Sequence, residues 1–545
     1  MREFYLELEE IIKKALEELY PEREFSFFLE SPRNKKFGDL ALSLPLKLSS
    51  EIGKSPLEIA KTLKEKLVEL FLKENPGIEK VTVIPPGFVN FFLKDKTVRN
   101  LLKDLLRRKE RFFKRKPFSK KKILLEFVSA NPTGPLSIAH GRQAIIGDVL
   151  ANLFSFFGAE VVREYYINDE GTQIDLFVES VIERIKELKG EPFKIPEGGY
   201  YGEYVKEIAN KLLGEKIEAK EKIRDFSLSL VLKEIKEDLL KLGIEFDNWV
   251  SQRKLQERKA IEKVINRLKE KGLTYQENGA LWFKSTLFGD DKDRVLVRKD
   301  NSFTYFSADI AYHQDKLRRG FNFLINLWGP DHHGYIKRLK SALKALADKK
   351  RYDFEVIIVQ LVTLKSKEKM SKRLGTALFL RDLISTVGKD AVRFFYLLRK
   401  NSSHLEFDLE KALSKSFDNP LYYIQYAHAR ICSIIEKSKK FIEGEAKEAD
   451  KFLHLLKEAE ELSLVKEIFQ FKNILEVAYL QLEPYFVVDY LKRLASSFHK
   501  FYENFRVLIE EDRDLTKARL ALIEGLRITL NLGLKLLGIE APSRM

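Results

Sequence analysis

The sequence predicts an α/β Rossmann-type domain carrying a helical insertion, preceded by an α+β module and followed by an all-α domain. Three observations predict it. At 545 residues the chain is well beyond the roughly 250 to 300 residues at which one hydrophobic core stops growing. The run Ile123-Leu124-Leu125-Glu126-Phe127-Val128 lacks polar alternation, as a parallel strand covered on both faces does, and it leads through a Gly/Pro turn into a helical pattern. Beyond about residue 405 the apolar spacing is helical, with no strand pattern.

The N-terminal module is placed at residues 1–115. It opens with a helix whose Phe4, Leu8, Ile11, Ile12 and Leu16 fall on one 3.6-period face. It closes on a Pro85-Pro86-Gly87 bend and a six-residue extended run in which Phe88, Asn90 and Phe92 share a face. From Arg107 to Lys122 stand ten Lys or Arg and one acid, Glu110; this is either a solvated interdomain connector or a contact for a nucleic-acid backbone. The α/β domain is placed at 116–404. After strand 123–128 and turn 130–135, a helix is expected from about Ile138 to Phe157 and a strand from Glu160 to Ile167, the opening of a doubly wound nucleotide-binding sheet. Residues from about 175 to 295 are mostly charged amphipathic helix and read as an insertion, and strand patterns resume at 323–328 and 356–362. The helical domain is placed at 405–545.

Composition narrows the function. Hydrophobic residues at 44% and charged ones at 33% exclude a disordered or collagen-like chain. Cys432 is the single cysteine, so an intrachain disulfide and any multi-cysteine metal site are excluded, which fits a reducing, cytoplasmic setting. No apolar run approaches a membrane span. The net charge of +15 suits a polyanionic partner without identifying it.

Several groups of residues carry chemistry. The turn before Ile138 exposes a helix N-terminus suited to phosphate, and His140 in its first turn could donate to a phosphoryl oxygen, although a histidine there can equally be structural. Glu126, a carboxylate in a buried strand, needs a cation, either a protein Arg or Lys or a substrate. Tyr305 and Asp309 stand four apart across a helix start with Ser307 as the candidate N-cap; Asp309 either serves the helix dipole or meets a ligand. The segment 365–376 holds five cations against one acid after a strand, a loop either solvated or suited to polyphosphate. Asp331-His332-His333 offers no third ligand set, and no bound metal is expected.

Ala130-Asn131-Pro132-Thr133-Gly134-Pro135-Leu136-Ser137-Ile138-Ala139-His140 and, 229 residues after its histidine, Lys369-Met370-Ser371-Lys372 resemble the two signatures of class I aminoacyl-tRNA synthetases. Phe37-Gly38-Asp39, Gly87-Phe88-Val89-Asn90-Phe91, Tyr165-Tyr166-Ile167-Asn168-Asp169, Asp331-His332-His333-Gly334, Asp418-Asn419-Pro420, Tyr426-Ala427-His428-Ala429-Arg430 and Ala541-Pro542-Ser543-Arg544-Met545 extend the resemblance over nearly the whole chain, to the arginyl-tRNA synthetase family. The first signature departs from the usual His-x-Gly-His, with Ser137 and Ala139 in place of the first histidine and the glycine.

The resemblance implies a ligase that activates arginine with Mg-ATP and passes it to the 3′ end of its tRNA, acting as a monomer. It implies His140, Lys369 and Lys372 as catalytic groups, and ATP contacts at Pro132, Gly134, Ser137, His140, Gly329, Asp331 and Met370. Arginine contacts are implied at Glu126, Asn131, Tyr305 and Asp309, and tRNA contacts at Asn90, Tyr426 and Arg430. Two alternatives stand beside it: another class I synthetase, and an RNA-binding paralogue weakened in catalysis by Ser137.

Overall fold

Five parallel strands make the central sheet, in the order Asp353–Ile358, Phe323–Trp328, Lys122–Glu126, Glu160–Ile167, Asn248–Ser251. The structure, a computed structural model, describes residues 4–30, 32, 34–74, 77–347, 352–365, 379–439 and 451–545. Ile123, Leu124 and Leu125 in the middle strand are fully buried, which is why that sequence never alternates. The helix Ile138–Phe156 packs back on this strand, and Gly147 permits the approach: a Cβ there would stand 2.4 Å from the Phe127 ring.

One expectation changes, and another, the mostly helical insertion, gains strands. The run at 356–362 is divided between Asp353–Ile358 in the central sheet and Val362–Lys365, which pairs in parallel with Leu405–Asp408. That pairing carries the α/β unit past residue 404, because four residues are too few to show a period but enough to pair with a distant strand. The insertion is likewise not wholly helical. Besides the helices Thr172–Lys189, Glu203–Gly214 and Lys220–Lys241 it supplies the sheet's edge strand, Asn248–Ser251. It also supplies an antiparallel sheet of Thr274–Glu277, Ala280–Phe283 and Arg294–Val297. Trp249 on the edge strand stacks on Tyr165 with ring centroids 4.4 Å apart, a cross-strand pair that no periodicity reveals.

The N-terminal module packs the helices Phe4–Leu19 and Pro56–Glu74 with a four-stranded antiparallel sheet that includes the hairpin Ile78–Ile84 and Phe88–Leu93. The basic run after it is no loose connector. Phe112 and Phe113 are buried, with ring centroids 5.4 and 5.3 Å from Phe469 and Phe471 of the helical domain. Arg115 pairs with Glu9 at 2.7 Å and Glu476 at 3.0 Å, so the segment fastens the first module to the last. The helical domain is built from Pro420–Ser438, Ala459–Leu480, Tyr485–Asn504 and Arg513–Leu536. Asn419 caps the first of these, its side chain accepting from the Leu421 and Tyr422 N–H groups, with Pro420 pre-set for the opening turn.

Candidate active site and RNA-facing surface

The strand Lys122–Glu126 ends in a sharp turn: Val128 and Ser129 hold positive φ of 68° and 40°, left-handed backbone that a β-branched valine rarely adopts. The turn aims Ser129 back at the strand, where its hydroxyl donates to Glu126 Oε1 at 3.2 Å and accepts from the Tyr166 N–H at 3.1 Å. The chain then runs through 130–135. Tyr165 Oη donates to the Ala130 carbonyl at 2.9 Å, and Tyr204 Oη, from the insertion, donates to the Thr133 carbonyl at 2.8 Å. Tyr204 also accounts for Gly134, since a Cβ there would lie 2.9 Å from its hydroxyl. Pro132 is buried in this turn.

Ser137 is the N-cap of the next helix and serves His140. Its backbone N–H donates to His140 Nδ1 at 3.1 Å, and its hydroxyl lies 3.1 Å from the same nitrogen. Nδ1 is therefore the bare nitrogen and Nε2 carries the proton. Burial pulls the imidazole below its ordinary value, so at neutral pH the ring is uncharged with Nε2–H as its donor. Gly329 and Asp331 follow the strand Phe323–Trp328, with Asp331 exposed and its carboxylate 3.1 Å from His332 Nδ1. Lys369, Met370 and Lys372 lie outside the described residues.

Opposite the strand ends runs the helix Tyr305–Arg318, capped by the Thr304 hydroxyl, which accepts from the Ser307 N–H. Thr304 replaces Ser307 as the cap because Ser307 is turned inward, donating to the Leu296 carbonyl at 2.7 Å. Three acids meet this helix in different states. Glu126 accepts from the fully buried Lys316 Nζ at 2.5 Å, which also reaches Asn326 Oδ1 at 3.3 Å. Glu164, fully buried, is held bidentately by Arg319 at 2.5 and 2.9 Å and accepts from Tyr312 Oη at 2.7 Å. Asp309 accepts from Tyr335 Oη at 2.5 Å and forms no ion pair among the described residues. Removal from water pushes its carboxyl up to about 6, against the lowering effect of Tyr335.

The cation that Glu126 required is therefore protein-borne, and Asp309 is the one of these three acids without an ion pair among the described residues. Tyr305, one helical turn earlier, is 59% exposed. Asn131 accepts from Asn168 Nδ2 at 3.1 Å, while Asn168 Oδ1 is buried with no partner among the described residues. Sequence reasoning missed Lys316 and Tyr335. Spacing could have found the first, since Tyr305, Asp309 and Lys316 recur on one helical face; Tyr335 lies on another element and gives no such signal.

The RNA candidates divide. Tyr426 sits in an aromatic cluster, with ring centroids 5.2 Å from Phe417, 6.2 Å from Tyr422 and 5.9 Å from His499. Phe417 is 59% exposed. Arg430 is exposed, lies 5.0 Å over the Tyr502 ring and donates to its hydroxyl at 3.2 Å. Asn90 differs from the expected open reading surface: it is 3% exposed, in register with Ala41 and Thr82, while Phe88 and Phe92 are half-buried. Asn90 Oδ1 and the neighbouring Thr82 Oγ1 are both buried without partners among the described residues.

Comparison with known proteins agrees along the chain. Residues 6–93 match the arginyl tRNA synthetase N-terminal domain, 101–416 the catalytic domain of class I (R) tRNA synthetases, and 424–545 the DALR anticodon binding domain. The chain is 42% identical to an arginine–tRNA ligase of Aquifex aeolicus, covering 99% of each, and 40% identical to one of Thermotoga petrophila, covering 98% of each. In fold it is similar to Thermus thermophilus arginyl-tRNA synthetase, with a TM-score of 0.78 at 21% identity over 99% of this chain and 100% of that one.

Proposed function

The chain belongs to the arginyl-tRNA synthetase family, and from that membership we propose how its own residues divide the reaction. It is an enzyme that charges tRNA with arginine using ATP. A carboxylate oxygen of arginine attacks the α-phosphorus, the bond to the β-phosphate breaks and pyrophosphate leaves. A ribose hydroxyl of the terminal adenosine then takes the arginyl group and AMP departs. Such chemistry needs alignment and charge stabilisation more than a general base.

Asp309 is the counter-ion of the guanidinium. The observation that carries this is its lack of an ion pair: with Glu126 and Glu164 already met by Lys316 and Arg319, it is the carboxylate of the three that gains a cation when arginine binds. Glu126 then acts with Lys316 as a wall of little net charge, and Tyr305 and Asn131 frame the ligand. His140 offers Nε2–H to an α-phosphate oxygen, with Ser137 fixing its tautomer rather than standing in for the missing imidazole. Pro132, Gly134, Gly329, Asp331 and Met370 border the nucleotide, Lys369 and Lys372 hold the departing pyrophosphate, and magnesium enters with ATP as part of that substrate. Tyr426 and Arg430 face RNA. Asn90 would read a base through its uncommitted Oδ1 once the strand face between Phe88 and Phe92 is engaged.

The protein acts as a monomer in the cytoplasm. No helix among the described residues is long and apolar enough to cross a membrane. Arginine-dependent ATP–pyrophosphate exchange, with and without tRNA, tests the site assignment. Substituting Asp309 should raise the arginine KM with the ATP KM unmoved, and equal effects on both would remove the role.

A further inference from the structure

Two residues after His140, on the same helix, Arg142 is completely buried and makes no ion pair among the described residues. Its guanidinium is spent on backbone carbonyls instead. Nη1 donates to Gln360 O at 3.0 Å and Ser403 O at 2.8 Å, and Nη2 to Lys400 O at 2.9 Å. Burial pulls Arg142 down to about 10, so it remains charged at neutral pH.

The three acceptors belong to two different segments of the chain. Gln360 leads directly into the strand Val362–Lys365, which ends four residues before Lys369 in the sequence. Lys400 and Ser403 belong to a turn that is latched to the helical domain. The Asn401 N–H donates to Glu483 Oε2 at 3.0 Å and Asn401 Nδ2 to the Leu482 carbonyl at 2.7 Å, at the corner between the helices Ala459–Leu480 and Tyr485–Asn504. Asn401 O in turn accepts from the Gln360 N–H at 2.9 Å. Leu482, which supplies that carbonyl, is itself held at φ +56°.

We propose that Arg142 is a positioning residue that sets the approach of the helix of His140 to the segment entering the strand Val362–Lys365 and ties it, through Asn401 and Glu483, to the helical domain. The geometry requires arginine: three carbonyls in two directions match a planar fork and not a point charge. Movement of the 482–483 corner, on helices that also carry His499 of the aromatic cluster, pulls on the 400–403 turn and hence on both Gln360 and the helix of His140. The inference rests on the site assignment above.

The test uses the full-length chain and the variants Asn401→Ala, Glu483→Gln and Arg142→Lys, with the double variant Arg142→Lys/Glu483→Gln. None of these positions is among the substrate contacts assigned above. Aminoacylation kcat is normalised to titrated active sites, and tRNA affinity is measured directly by filter binding. We expect Asn401→Ala to lower kcat per site about tenfold with tRNA affinity within about twofold, a coupling of the size carried by packed networks. Glu483→Gln should lower it less, and the effect of Glu483→Gln should shrink once Arg142 is lysine. A merely structural latch would lower the melting midpoint and leave kcat per active site alone. Unchanged kcat in Asn401→Ala, or additive effects in the double variant, overturns the proposal. A wild-type chain that fails to charge tRNA would instead count against the site assignment beneath it.

Discussion

The proposed arginine site at Asp309 and the proposed RNA face at Tyr426 would recognise their targets by opposite means. At the first, selectivity would rest on one half-buried carboxylate that forms no ion pair among the described residues. The face is half open, and its rings offer stacking surface to any base, with Arg430 adding charge at the rim. Binding energy is therefore concentrated in one place and spread out in the other. Losing a half-buried counter-ion would remove most of the discrimination at once, whereas stacking would be shared among several rings.

Substitutions at the two sites should separate these modes, and those at Asp309 should show the larger effects. Asp309→Ala should raise the arginine KM about 100- to 1000-fold with the ATP KM within about twofold, because a buried charge loses its partner; steady-state exchange kinetics decide it. Lys316→Met leaves Glu126 buried and unpaired, a loss of about 3 to 5 kcal/mol that calorimetry should register as a lower melting temperature. An unchanged melting temperature would mean that Glu126 takes up a proton or finds another partner.

Tyr426→Ala should raise the tRNA KM about tenfold and leave arginine and ATP unaffected. A comparable change follows from pH. Asp309 has its carboxyl raised to about 6 and must be ionised to hold a guanidinium. Arginine affinity is thus present above that value and falls about tenfold between pH 7 and pH 5, a dependence that Asp309→Asn should remove along with most of the affinity. The same shift means that ionised Asp309 weakens the free fold as pH rises from the ordinary carboxylate range through about 6, and arginine relieves that cost. Arg430→Ala should have the smallest effect, a few-fold loss of tRNA affinity with the salt slope reduced by about one.

Much of the fold is legible in the sequence. The strand at 123–128, the helix that follows it and the first helix of the chain are written in periodicity, because burial on one or both faces dictates residue type along a continuous segment. The short strands Asn248–Ser251 and Leu405–Asp408 are not, since each is fixed by a partner far along the chain. The same division runs through the site. His140, Asp309 and Tyr426 can be named from motifs, but the sequence does not say which acid is free.

Taken alone, the sequence specifies the kind of molecule: a long basic chain with two nucleotide-handling signatures and a pair of candidate acids for a cationic substrate. The roles are assigned by tertiary contacts. Lys316 meets Glu126 across 190 residues, Arg319 meets Glu164 across 155, and Arg142 reaches Ser403 across 261. Local sequence sets propensity and period, but whether a buried charge is paired or waiting depends on what the fold brings beside it, and in a low-dielectric interior that difference governs function.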